Sequence, residues 1–285
     1  MRQRSVVETP DLVPGRDLAR QAELAASTGP IRANVPGVAV LVQSHRGTAL
    51  GVDSGNERGD SVRKLMALIT LGCDGRPAEA ARQVLDGETL IQRTLRLVQE
   101  AGPDRVLLSA PDDSFDALAS AEGIEALARP EGARTLEQAL SQALDLAGPD
   151  VTHVLALDPL LPLRRPGRLG RALAMAVREG ADCVFSCHRE SALLWQRSAM
   201  GLVPYFDPER RPGLDATDGE VPWLKEDGGF YLLRAETFRT CGSRHGGRIM
   251  PLETEPAEAV VADGSAGLAV CRALLAERER ASATI

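Results

Sequence analysis

The chain has 285 residues, 44% of them hydrophobic, enough for one large domain or a core domain with an appendage. Its formal net charge is -7 and its pI about 5.3, so a nucleic-acid partner, which asks for a basic face, is not expected. Aromatic residues make up 3%, too few for a platform that stacks bases or sugars.

Residues 1–63 read as a polar N-terminal arm, punctuated by Pro10, Pro14, Pro30 and Pro36, with one helix over DLARQAELAAS. Its opening, MRQRSVVETPDLVPG, has charge but no hydrophobic region behind it and does not read as a secretory signal. GVAVLVQSHRGTALGVDSG holds two apolar runs around Ser44-His45-Arg46-Gly47, the pattern of a β-hairpin over 37–54. GNERGD then links to a second region, 64–285, where strand-like runs (LMALITL, RVLLSA, HVLALD, ADCVFSC, GFYLL) alternate with helical stretches rich in Ala, Leu, Glu and Arg. Fully apolar strands with a helix between each pair predict an α/β fold: a mostly parallel open sheet with helices on both faces, Rossmann-like. In such a fold ligands sit at the carboxyl ends of the strands. No apolar run approaches the roughly 18 residues of a membrane span. The cysteines, Cys73, Cys183, Cys187, Cys241 and Cys271, are odd in number and scattered, with no CxxC pair, which predicts a reduced, cytoplasmic protein. Cys183, Cys187 and the adjacent His188 read as a buried strand rather than a metal site.

The candidate chemistry therefore lies just after each strand. After the first come Gly72, Cys73, Asp74, Gly75 and Arg76. Glycines there let backbone N–H groups approach a phosphate, and Arg76 and Arg82 supply positive charge. The stretch is neither GxxxxGKS/T nor GxGxxG and contains no lysine, so a plain turn is the competing reading. Ser109 ends the second strand, followed by residues that suit a helix N-cap. Asp158 ends the third, in HVLALDPLLPLRRPG. A carboxylate there must be solvated, paired or bound to a metal. Asp263, in EAVVADG between a short apolar strand and the last helix, is either a turn residue or a partner for Asp158, the two carboxylates converging on one Mg²⁺ that holds nucleotide phosphates.

VLALDPLLPLRRPGRLGRALAMAVREGADCVFSC and EDGGFYLLRAETFRTCGSRHGGRIMPLETEPAEAVVADG together resemble the acylneuraminate cytidylyltransferase (CMP-sialic acid synthetase) family, within the nucleotidyltransferases of glycosyltransferase-A-like fold. The first is similar to the family's "LLQPTSPLR" strand end, helix and strand. The second is similar to its "NGAIY" strand and terminal "DIDT" segment. RVLLSAPDD and ARPEGARTLEQAL carry weaker likeness. The resemblance spans Leu65 to Leu275.

The departures concern the phosphate loop and the acidic positions. The family's "PARGGSKGIPRKN" supplies an Arg and a Lys to the triphosphate, where an ungapped match leaves Leu71 and Ala80. A short deletion brings Arg82 near the Lys position, while Gly72, Gly75 and Arg76 resemble the GxGxR loop of related enzymes. Asp158 stands where the family has a Gln that helps read cytosine, Val261 and Asp263 stand for the two Asp of "DID", and Asp227 for the Asn of "NGAIY". Arg210 and Arg211 resemble the arginines of "RRQDLP" and, with Lys225, would meet an anionic acceptor.

The resemblance thus implies a nucleotidyltransferase, with CTP as donor and an anionic sugar acid or phosphonate as acceptor, releasing pyrophosphate. Arg82 and Asp158 would be catalytic, Gly72, Gly75, Arg76 and Ser109 would hold the nucleotide, and Asp158 and Asp263 the Mg²⁺. It also implies a homodimer, and the apolar segment SALLWQRSAMGLVPYF, holding Trp195, Tyr205 and Phe206, reads equally as its contact or as a hydrophobic core loop. A noncatalytic homologue that keeps the fold as a partner or regulatory subunit is the alternative. A glycosyltransferase would carry a DxD after a central strand, and no internal strand here ends that way.

Overall fold

The computed structural model describes residues 32–35, 38–41, 64–190, 192–199, 201–204, 206, 208–209 and 223–283. Two compact units divide the chain: residues 1–59 with 191–220, and residues 60–190 with 221–285.

In the first unit, strands β1 (Arg32–Val35) and β2 (Val38–Leu41) pair antiparallel. The second run predicted for the 37–54 hairpin, with its turn at Ser44–Gly47, lies outside the described residues, as does the helix predicted over DLARQAELAAS.

The second unit opens on β3 (Leu65–Thr70), buried at every residue as a central strand should be. The two-residue strands β4 (Val84–Leu85) and β5 (Glu88–Thr89) form a hairpin around Asp86-Gly87, and helix α1 (Leu90–Glu100) starts on a capping box of Thr89 and Gln92. β6 (Arg105–Ala110), α2 (Asp116–Ala121) and β7 (Glu125–Ala128) follow. Helix α3 (Leu136–Ala147), capped by Thr135 and Gln138, leads to β8 (His153–Leu157), α4 (Arg168–Glu179) and β9 (Cys183–Glu190). In the first unit again, β10 (Trp195–Ser198) and β11 (Gly201–Pro204) form a second antiparallel hairpin. The second unit ends with β12 (Trp223–Arg234), α5 (Ala235–Cys241), β13 (Ile249–Glu253) and α6 (Ser265–Ala283).

Seven strands form one sheet in the order β13-β9-β12-β8-β3-β6-β7. All run parallel except β12, which is antiparallel to both β8 and β9. Pleating divides β3 cleanly. Met66 and Leu68 pack with Leu136, Leu140 and Leu144 of α3, whereas Leu65 and Ala67 face the layer of Leu97 and Val98 from α1 and Leu169 and Ala172 from α4. The fold is therefore the mostly parallel α/β sheet, covered on both faces, that the alternating pattern predicts.

Three expectations need correction. Among the described residues no helix stands between β9 and β12: the chain leaves β9 for residues 191–220 and returns antiparallel. The strand predicted before Asp263 is not formed: a 3-10 turn over Pro256–Ala259, set by Pro256 and a capping box of Glu255 with Glu258, runs into residues 260–262, which have no regular structure. Strands β7 and β13 were not expected. β13 carries Pro251, which only a sheet edge tolerates well, and β13 lies at the edge.

Candidate functional site

The carboxyl ends of β3 and β8 open on a cavity of about 260 Å³, walled on its other side by Glu226, Asp227, Gly228 and Tyr231 of β12 and by Arg244. Asp158 and Arg76 meet in it. The chain turns after β8 because Asp158 caps its own loop, its Oδ1 accepting the Leu160 N–H at 2.9 Å. Its Oδ2 lies 2.9 Å from Nε of Arg76, and both side chains are largely buried. Burial pushes the Asp158 carboxyl above its ordinary range, against the pull of Arg76, of the Leu160 N–H and of Arg164. Arg76 also donates to the Asp227 carbonyl at 3.3 Å, while its Nη1 is buried without a partner.

The loop that presents Arg76 is shaped by its small residues. Gly72 has φ +69°, and a Cβ there would come within 3.2 Å of the Ala78 side chain. Asp74, also at positive φ (53°), has its N–H on the Arg134 carbonyl at 2.8 Å and its Oδ1 on the Leu136 N–H at 3.3 Å. Behind the loop the buried Arg129 joins it to β6. Its Nη2 donates to the Leu71 carbonyl at 2.6 Å, and its Nη1 to both the carbonyl and the hydroxyl of Ser109 at 3.1 Å. Reading the strand ends missed Arg129 as a site residue, although the Arg-Pro pair at 129–130 was the signal available.

The far wall is built by a bulge in β12. Pairing with β9 shifts between Glu226 and Tyr231, and Gly228 adopts φ +74°. A Cβ on Gly229 would lie 2.9 Å from Oδ1 of Asp227, so the turn excludes larger residues. Asp227 accepts from Ser186, from the Gly229 N–H at 2.7 Å and from Thr254 at 3.2 Å. Arg244 closes the cavity, its guanidinium bridging Glu137 and Asp74 at 2.6–2.9 Å over the Tyr231 ring. Glu226 accepts from the Tyr231 hydroxyl and lies 3.2 Å from Nε2 of His245, a contact that holds its carboxyl low. Beneath Asp158 the fully buried Arg164 donates to the carbonyls of Asp158 and Gly229, and burial lowers its pKa to about 10.

The structure thus brings Gly72, Gly75 and Arg76 onto one loop beside Asp158. Other sequence-predicted residues lie elsewhere. Arg82 is held by Glu79 at 2.9 Å and by the Ser114 carbonyl at 2.8 Å, stacked over Phe115, and it does not line the cavity. Ser109 is buried against Arg129. Lys225 is exposed and lies 3.3 Å from Glu190. Asp263 is exposed and outside the cavity wall, although its neighbour Ala262 donates to the Leu160 carbonyl at 2.7 Å. Arg210 and Arg211 lie outside the described residues.

Among the described residues no three His, Cys, Asp or Glu side chains gather into a metal cage. Mg²⁺ does not require one, since it retains waters and is commonly held by one or two carboxylates plus substrate phosphates. Asp158, a buried carboxylate neutralised by a single guanidinium at a cavity wall, suits that role.

Residues 76–225 match the MobA-like NTP transferase domain. Among solved structures, the 4-diphosphocytidyl-2C-methyl-D-erythritolsynthase of Anaerococcus prevotii is 14% identical with a TM-score of 0.55, covering 75% of this chain and 98% of its own. CMP:2-keto-3-deoxy-manno-octonic acid synthetase in complex with CTP is 17% identical with a TM-score of 0.54, covering 76% and 100%. At these identities the likeness establishes the fold. No curated protein sequence matches.

Proposed function

Because the chain belongs to the MobA-like NTP transferase domain family, we propose that it is a nucleotidyltransferase of the cytidylyltransferase type, acting on CTP and a small anionic acceptor such as a sugar acid or phosphonate. The observation that carries this reading is the Arg76–Asp158 ion pair at the paired ends of β3 and β8. In the free protein the two side chains neutralise each other. A nucleoside triphosphate offers each a better partner, phosphate oxygens for the guanidinium and a phosphate-bound cation for the carboxylate. Nucleotide arrival would then split the pair and turn Arg76 towards the triphosphate, over a loop whose glycines admit close backbone approach.

An acceptor oxygen attacks the α-phosphorus, the bond to the bridging oxygen breaks, and pyrophosphate leaves with that electron pair. Such transfer depends on positioning and charge neutralisation more than on a protein nucleophile. When bound, Mg²⁺ would neutralise charge on the phosphate oxygens, and Asp158 is the residue that would hold it; Asp263, exposed and outside the cavity wall, could join it only if its loop moved inward. Arg164, fixed on the carbonyls either side of the cavity floor, keeps the Asp158 turn and the β12 bulge in register. The acceptor contacts assigned to Arg210, Arg211 and Lys225 and the pairing of two copies into a homodimer belong to the same proposal.

One observation favours the noncatalytic alternative. Arg76 and Arg244, the cations that line the cavity, are each already paired with carboxylates, and Arg82 is engaged elsewhere. Thermal melting with CTP, UTP, ATP and GTP, each with and without Mg²⁺, separates the two. A ligand at about 100 times its Kd adds about 2.7 kcal/mol, roughly 5–10 °C for a domain of this size. A Mg²⁺-dependent rise with CTP alone supports the enzyme, to be followed by pyrophosphate release with candidate acceptors. No rise with any nucleotide favours the noncatalytic homologue.

A further inference from the structure

A second cavity, of about 530 Å³, lies between α1, the Pro162–Pro166 loop and α6. Five arginines line it (Arg93, Arg96, Arg164, Arg165 and Arg278), and among the described residues no carboxylate does. In a chain of net charge -7 this is a concentrated positive field. Arg96 and Arg165 are matched from outside by Glu88 and Glu255, at 2.7 and 2.6 Å. Of the other three, Arg93 has only a longer contact with a carboxylate, and Arg164 and Arg278 have none within ion-pair distance among the described residues. Arg93 donates to the Leu85 carbonyl at 3.3 Å and lies 3.8 Å from Glu88. Arg278 donates to the Leu163 carbonyl at 2.7 Å, and Arg164 donates only to backbone carbonyls.

Each of those three also keeps one buried guanidinium nitrogen without a partner: Nε of Arg93, Nη1 of Arg164 and Nη2 of Arg278. Arg164 is 7% exposed, so its free N–H cannot be satisfied by bulk water. Three orphaned donors on three separate elements are each costly, and a small turn of any of these lining guanidiniums towards an acceptor in the cavity would relieve that cost. The remaining wall is mostly apolar, with Leu97, Pro162, Leu163 and Leu275, and Ser282 as its polar member. We infer that this cavity is a binding site for a small phosphate monoester with a compact apolar body, distinct from the Asp158 site. The phosphoryl group takes the orphaned guanidinium donors and the body rests on the leucines and proline. Arginine's planar donor fork matches phosphate oxygens, and a wall half apolar favours an ester over the bare ion.

Isothermal titration of the full chain with phenyl phosphate and with inorganic phosphate tests the assignment. The expected result is one equivalent of phenyl phosphate bound, more tightly than inorganic phosphate. Affinity should fall at least tenfold in the Arg93→Gln/Arg278→Gln double variant and stay unchanged in Arg76→Gln. Should the double variant fail to fold, Arg96→Glu at the half-exposed rim reverses a lining charge without touching the core and should weaken binding similarly. Absence of saturable binding, or binding lost in Arg76→Gln and retained in the cavity variants, would overturn the inference. Neither result depends on turnover or on CTP, so the outcome is independent of the proposed nucleotidyl transfer.

Discussion

At the scale of single residues, Arg76 and Asp158 decide the most. Arg76→Gln removes the charge that offsets the burial of Asp158 and should abolish any Mg²⁺-dependent melting shift with CTP. It also makes a prediction about pH. The Asp158 carboxyl is already raised above its ordinary value of 3.8 by burial, and losing Arg76 raises it further. A folded state that holds its proton more tightly than the unfolded chain is penalised above that raised pKa and relieved as pH falls through it. The melting deficit of Arg76→Gln should therefore be largest near neutral pH and shrink towards pH 4. A deficit that stays constant or grows on acidification would count against a buried, ionised Asp158. Arg129 acts differently. Arg129→Lys cannot span the Leu71 carbonyl and both oxygens of Ser109, and should cost about 3 kcal/mol in urea unfolding while loosening the Arg76 loop and weakening nucleotide binding. Unchanged stability would show that the clip is dispensable. Residue types and strand ends pointed to Arg76 and Asp158. They did not reveal that Arg82 would be spent on Glu79 and Ser114, because a guanidinium's partner is fixed by tertiary neighbours and not by its place in a loop.

At the scale of elements, the 3-10 turn Pro256–Ala259 is tied to α4 through Glu258. That carboxyl is almost fully buried, yet accepts from Arg168 at 2.6 Å and from the Arg165 N–H at 3.0 Å. Burial pushes its pKa up, and the Arg168 guanidinium with the backbone donors outweighs it, so the pKa lies below the ordinary 4.5. The sign is opposite to that of Asp158: the stabilisation is fully present above pH 4.5 and lost as pH falls through the lowered folded value. Glu258→Gln should cost about 3–5 kcal/mol at neutral pH, since it leaves Arg168 largely buried without its close partner, and should flatten the acid limb of the stability curve. Equal acid sensitivity in variant and wild type would place the effect elsewhere. This junction was not legible in the sequence, where EPAEAVVADG reads as a turn into an apolar strand. The four long helices and five of the sheet strands were legible, because the strands are short, almost wholly apolar runs and the stretches between them are rich in helix-forming Ala, Leu, Glu and Arg. β7 and β13 were not, being short edge strands whose character comes from the neighbour they pair with.

At the scale of the whole molecule the open question is how many copies act together. No helix among the described residues is long and apolar enough to cross a membrane, and large apolar side chains are exposed elsewhere. The β10–β11 hairpin carries such surface. Trp195 is 54% exposed and Leu202 62%, with Leu194 beside them, and Trp195 meets Phe206 edge to face at 5.3 Å. Side chains of this size left in water on one short hairpin form a patch of the kind that marks association sites. The homodimer implied by the cytidylyltransferase resemblance would cover them with a second copy. Light scattering behind size exclusion should then give about twice the 30.4 kDa chain mass, and Leu202→Glu, which places a charge in the patch, should return it to the single-chain value. Because Leu202 stands on a two-stranded hairpin and outside the buried core, the substitution should leave the melting of the monomer nearly unchanged. A wild-type chain that runs at 30.4 kDa at every concentration would remove the dimer from the proposal and leave the hairpin to a different partner.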